Sequence, residues 1–129
     1  LSSGFDVGIN SDVISGYEKA KGIEMAVRTL SPEIIVCDEI GNLPEVNAIK
    51  FGFSSGASFI LSVHLKSVED IVRNKILKEL IITGEFSYIV FLKGVNKGYD
   101  VIELTEEEIE DNRNFNVNGN IYPYINSNM

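Results

Sequence analysis

Apolar residues in this chain alternate between helical and strand spacing. Residues 1–14, rich in Gly, Ser, Asn and Asp, read as loop or a broken hairpin. From Tyr17 to Leu30, apolar residues recur at Ile23, Ala26, Val27 and Leu30, the i, i+3, i+4, i+7 spacing of one helix face. Ser15 and Glu18 have capping-box spacing and mark the start of that helix. Gly22 inside it costs about 1 kcal/mol relative to alanine, which points to a packing reason. Pro32 biases Ser31 away from helix, so the helix stops there. Ile34 to Cys37 is wholly apolar and mostly β-branched, the pattern of a strand buried on both faces of a parallel sheet.

Gly41-Asn42-Leu43-Pro44 is a turn into a second helix that runs to Gly56, with Val46, Ile49 and Phe53 on its apolar face. Ser58 to Val63 is a second buried strand that ends on the sole histidine, His64. Ser67 and Asp70 mark another cap. The stripe after it (Val68, Ile71, Val72, Ile76, Leu77, Leu80, Ile81) predicts a helix bent near Asn74 and closed by Gly84. Phe86 to Lys93 is a third strand, and after a turn Tyr99 to Leu104 is its hairpin partner or an edge strand. Thr105 and Glu108 suit the cap of a short acidic helix. From Asn112 the asparagine-rich tail has no period, and no structure is expected of it. The order predicts an α/β layer sheet over residues 1–104, followed by an acidic helix and a flexible tail over 105–129.

Composition narrows the partners. At 129 residues, with 44% apolar and 23% charged residues, the chain is one ordinary globular domain at most. A net charge of −8 without a basic stripe argues against nucleic acid. The lone Cys37 lies inside a predicted strand, so it reads as a small buried hydrophobe in a reducing compartment. No apolar stretch approaches the roughly 18 residues of a spanning helix, and no signal peptide opens the chain. The expectation is a cytoplasmic protein with no direct membrane insertion.

The chemistry concentrates at Asp38 and Glu39, which follow the first strand directly. Ligands in open α/β sheets bind at that C-terminal end. An apolar strand running into Asp-Glu is the Walker B arrangement, in which Asp holds Mg²⁺ and Glu orients or deprotonates the attacking water. The plain alternative is a strand with an acidic, solvent-facing exit. A right-handed crossover brings His64 to the same sheet edge, where it could sense a γ-phosphate or join a two-carboxylate metal site. Ser62 and Ser67 lack a nucleophile-elbow pattern and make no convincing triad. No Gly-x-x-x-x-Gly-Lys-Ser/Thr occurs, nor any Gly-Lys pair, so this chain has no phosphate loop of its own.

The run GYEKAKGIEMAVRTLSPEIIVCDEIG, with the later SVH, resembles the later half of the ATPase domain in the stage III sporulation protein AA family. That family is grouped with the hexameric secretion and pilus-type ATPases of the RecA-like class. The resemblance spans roughly residues 6–104. Its most specific parts are Asp12 to Tyr17, Lys19-Ala20-x-Gly22, Arg28 to Pro32, and Asp38 to Gly41. It implies a partial RecA-like P-loop NTPase layer that lacks the phosphate-loop strand, with Asp38 coordinating Mg²⁺ and Glu39 the catalytic base. It places His64 at the family's threonine/serine-x-histidine and makes Arg28 a candidate for nucleotide contact across a subunit interface. For the parent protein it implies ATP and Mg²⁺ as cofactors, a hexamer, and membrane-channel partners at the cytosolic face of the mother-cell membrane during sporulation. For this piece alone it implies no bound nucleotide and no activity. Two alternatives stay open: a non-catalytic assembly or protein-binding module, and half of another P-loop ATPase.

Overall fold

The computed structural model describes residues 10–14, 16–104, 114–117 and 120–123. Its contacts divide the chain between Ser62 and Val63 into two compact units. The chain is α/β, and its first unit is built on a small parallel sheet with helices.

That first unit contains α1 (Lys19–Leu30), β1 (Ile34–Cys37), α2 (Leu43–Ser54) and β2 (Ser58–Leu61). The predicted capping box does not start α1: its N-cap is Glu18, which makes no side-chain cap bond. The helix ends at Leu30 as expected, but Ser31 stops it by turning left-handed at φ 47° rather than by extending. Arg28 in the last turn suits the negative helix end. Asn42 caps α2 by accepting from the Glu45 amide, and Pro44 lies in its first turn.

β1 and β2 pair in parallel, Ile34 opposite Ser58 and Cys37 opposite Leu61, with α2 as the crossover. α1 packs on α2, and α2 on β2. Ile23, Ala26, Val46, Ala48, Ile49 and Phe59 form the buried core, with Val46 and Ile49 fully enclosed. The sheet is not buried on both faces. Phe59 points into the core, whereas Ile34, Val36 and Ile60 share the opposite face and are exposed, Val36 at 71%. Among the described residues β1 and β2 have only each other as strand partners, and nothing there covers the second face.

The second unit opens with a 3-10 turn, Val68–Ile71, held by the Ser67–Asp70 capping box that the sequence predicts. Asn74 then caps a separate helix, α3 (Lys75–Ile81), by accepting from the Leu77 amide. The predicted bend is therefore a break, because Asn74 competes for the backbone more effectively as a cap than inside a helix. β3 (Tyr88–Leu92) and β4 (Tyr99–Glu103) form the antiparallel hairpin, with Val90 opposite Val101. The Lys93 ammonium meets the Asp100 carboxylate at 3.2 Å near its turn. Ile71, Val72, Ile81, Ile102 and Leu104 make this unit's core, flanked by Leu65, Leu77, Phe86, Ile89 and Phe91. Tyr88, Val90, Leu92, Tyr99 and Val101 lie exposed on the hairpin's other face.

The predicted acidic helix after Thr105 lies outside the described residues. Within the tail read as unstructured, β5 (Asn114–Val117) pairs antiparallel with β6 (Asn120–Pro123). Asn118-Gly119, the residues between them in sequence, are a favoured pair for two-residue hairpin connections.

Two glycines separate packing from propensity. A Cβ on Gly52 would lie 2.5 Å from Phe59 Cζ, and that ring is already wedged edge-on against Phe53 with centroids 5.0 Å apart. A Cβ on Gly22 would meet Ile14 at an ordinary 3.6 Å, so the packing reason expected there is absent. In urea titrations Gly52→Ala should destabilise the chain by about 1–3 kcal/mol through overpacking. Gly22→Ala should instead stabilise it by about 0.4–1 kcal/mol. Equal effects at the two sites would contradict this account of the core.

Candidate functional site

The pairing of β1 with β2 continues past the strand ends. Ser62 N–H donates to the Cys37 carbonyl at 3.2 Å, and Ile40 N–H donates to the Ser62 carbonyl at 2.9 Å. Ile40 is buried and pins the segment to the core. Asp38 and Glu39 lie between these two anchors, both exposed, at the C-terminal edge of the parallel pair.

A serine organises the two acids. The Ser62 hydroxyl donates to Asp38 Oδ1 at 2.6 Å and accepts from the Glu39 amide at 2.9 Å. The first contact is a short charge-assisted bond that fixes one face of the carboxylate. Glu39 adopts φ 47°, left-handed for a residue with a Cβ, at a cost of about 1–3 kcal/mol. The Lys19 ammonium, from the first turn of α1, donates to the Asp38 carbonyl and, at 2.7 Å, to the Glu39 carbonyl. Downstream, Glu45 accepts from Gly41 N–H at 2.9 Å and from Asn42 Nδ2 at 3.0 Å, which ties the turn to the start of α2.

The arrangement offers two carboxylates with different surroundings. Asp38 is braced on one oxygen. The Glu39 carboxylate makes no hydrogen bond to a described residue, although both ends of its backbone are held. Among the described residues, no three His, Cys, Asp or Glu side chains gather at metal-binding spacing.

His64 falls in the second unit, just past the division of the chain. β2 ends at Leu61, three residues earlier than the histidine that the sequence reading places at its end, and His64 is exposed in the second unit. Arg28 projects over the Phe51 ring of α2, 5.1 Å from its centroid, a cation–π contact inside the first unit. Sequence reasoning missed Ser62 and Lys19 as contributors. The signal for Ser62 was its position two residues before His64, and for Lys19 its place in the motif Lys19-Ala20-x-Gly22.

Fold and site together define an α/β protein with a paired-carboxylate exit on a parallel strand, braced by a hydroxyl just past the end of the next strand. More particularly, the chain belongs to the family described as sporulation stage III, protein AA, whose sequence profile matches residues 3–111. It is 36% identical over 73 residues to stage III sporulation protein AA of Bacillus subtilis (strain 168), a stretch covering 57% of this chain and 24% of that protein. The match therefore spans about a quarter of that relative's length. No solved structure matches the chain. Among the described residues, no helix is long and apolar enough to cross a membrane.

Cys37, half-buried just before Asp38, has its thiol pushed above the ordinary range. Burial is the main cause. The Lys19 charge pulls the thiol back down and Glu45 adds to the rise. The native state thus holds this proton more tightly than the unfolded chain does. The resulting stabilisation is complete below the unfolded thiol's pKa and is lost as pH rises through the higher native one. A thiol-specific reagent at pH 8 should label Cys37 roughly tenfold more slowly in the native chain than in urea. Unfolding free energies measured across the alkaline range should fall less steeply for Cys37→Ala than for the parent. Identical slopes would show that the thiol is not perturbed.

Proposed function

We propose that this chain is the later part of a RecA-like ATPase domain that serves sporulation, with the Asp38–Glu39 exit as its hydrolytic edge. The observation that supports this best is the Ser62 hydroxyl, which joins the end of one parallel strand to the acidic exit of its neighbour. The exposed face formed by Ile34, Val36 and Ile60 and the short two-stranded sheet also suit a piece of a larger layer.

In this reading Asp38 holds Mg²⁺. That ion binds through one or two carboxylates with waters and phosphate oxygens, so an exposed carboxylate braced on one side suits it without a three-ligand cluster. When bound, it supplies charge neutralisation on the phosphates. Glu39 accepts a proton from the attacking water, its carboxylate carried on a backbone that Ser62 and Lys19 hold. His64 contacts the γ-phosphate, and Arg28 contacts nucleotide across a subunit interface, exchanging its stack on Phe51 for that role. The phosphate loop comes from sequence outside this chain. The assembled protein is a hexamer that works with membrane-channel proteins at the cytosolic face of the mother-cell membrane.

A second reading, a non-catalytic assembly module with inert carboxylates, is favoured by two features. One is the missing Gly-Lys motif, and the other is the exposed apolar face of β3 and β4. Hydrolysis by the full-length protein separates the readings. Glu39→Gln should keep nucleotide binding and lower turnover by about two to four orders of magnitude, the usual yield of a general base. Asp38→Asn should instead weaken Mg²⁺-dependent binding. Wild-type turnover in Glu39→Gln would remove the catalytic assignment, and the same defect in both variants would show that the roles are not divided.

Nucleotide should also distinguish this chain from the whole protein. A ligand at 100 times its Kd adds about 2.7 kcal/mol of stability. Millimolar Mg-ATP should raise the melting temperature of the full-length protein and leave that of this chain unchanged. A clear upward shift for this chain would overturn its reading as a half-domain.

A further inference from the structure

The geometry points to Lys19 as a positioning residue for the acidic exit, one that locks the backbone of Glu39 together with Ser62. Successive carbonyls of an extended strand point in opposite directions. A single ammonium can reach the carbonyls of both Asp38 and Glu39 only if the chain turns between them. The torsions of Glu39 set the angle between those two carbonyls, and Glu39 is the left-handed residue of the segment. Ser62 holds the amide of the same residue at 2.9 Å. Glu39 is therefore gripped at its N–H by a hydroxyl and across its flanking carbonyls by a cation. Asp38 shares both devices, through its carboxylate and its carbonyl.

Lys19 has the means to do this. It is partly buried in the first turn of α1, and its ammonium reaches the carbonyls of Asp38 and Glu39. Its contacts go to main-chain oxygens rather than to the carboxylates, so it can fix the turn and leave both acidic groups available. Lys21, two residues on, is exposed and serves as a charge-matched control. The role proposed for Lys19 rests on Glu39 being the base described above, whereas its effect on the turn does not.

The test uses the full-length protein with Lys19→Met, Lys19→Arg and Lys21→Met. Amide hydrogen exchange is read at Glu39, Ile40 and Gly41, and in α2 as a reference. ATP turnover is measured alongside, with Glu39→Gln in the same series. Lys19→Met should raise exchange at the three turn amides about tenfold, leave α2 protected, and lower kcat about ten- to a hundredfold with KM little changed. Lys19→Arg should recover part of both effects, and Lys21→Met should match the parent. Unchanged exchange at the turn would overturn the inference, as would a uniform rise that includes α2. Raised exchange with parental kcat would also overturn it, provided Glu39→Gln abolishes turnover. If Glu39→Gln hydrolyses ATP normally, the catalytic reading fails, and the exchange data alone decide whether Lys19 holds the turn.

Discussion

The Ser62 hydroxyl makes two hydrogen bonds, and the acidic end of this chain depends on both. It gives its proton to Asp38 and takes one from the amide of Glu39. A methyl in its place would leave a carboxylate oxygen and a main-chain N–H to find water at an exposed edge. A single contact at net value contributes about 0.5–1.5 kcal/mol, more when one partner is charged. That is modest for stability and large for geometry, because the turn it holds includes a non-glycine residue in the left-handed region. Residues 38–42 are consequently organised by side chains from three directions: Ser62 after β2, Lys19 in α1, and Glu45 in α2.

Both units carry apolar strand surface on two faces but pack only one. In the first, Phe59 goes inward while Val36 and Ile60 stay out. In the second, Ile102 is buried while Tyr88, Val90, Leu92, Tyr99 and Val101 remain exposed. Fully burying one such aliphatic side chain contributes about 1.5–3 kcal/mol relative to exposure. Contiguous apolar faces of this kind are uncommon on isolated soluble domains and mark surfaces of association.

The strands and helices were largely legible because their periods are clean. Ile34 to Cys37 falls where the pattern puts it, and Leu43 to Ser54 and the hairpin from Tyr88 to Glu103 lie within about two residues of the expected bounds. Two of the errors lie at helix ends, where local backbone preference outcompetes periodicity. Asn74 breaks an apolar stripe that is otherwise continuous, and Ser31 stops α1 by a left-handed turn instead of an extended one. In the tail, asparagine content hid the pairing of β5 with β6, although Asn118-Gly119 was a readable signal. The two acids were visible as the natural exit of an apolar strand. Lys19 was not, because helical spacing says nothing about where a long side chain ends.

Core packing and site geometry are coupled through strand register. In β2, Phe59 faces the helices and is separated from Ser62 by Ile60 and Leu61. Side chains alternate with a period of two, so slipping β2 by one residue against β1 would turn Phe59 outward and carry Ser62 away from Asp38. That register is held from the helix side. The missing Cβ of Gly52 lets the Phe59 ring approach α2, where Phe53 meets it edge-on. The line from Gly52 to Phe59, along β2 to Ser62 and across to Asp38 and Glu39 is continuous in contacts and hydrogen bonds. A disturbance at a buried glycine can therefore misplace an exposed carboxylate without touching it.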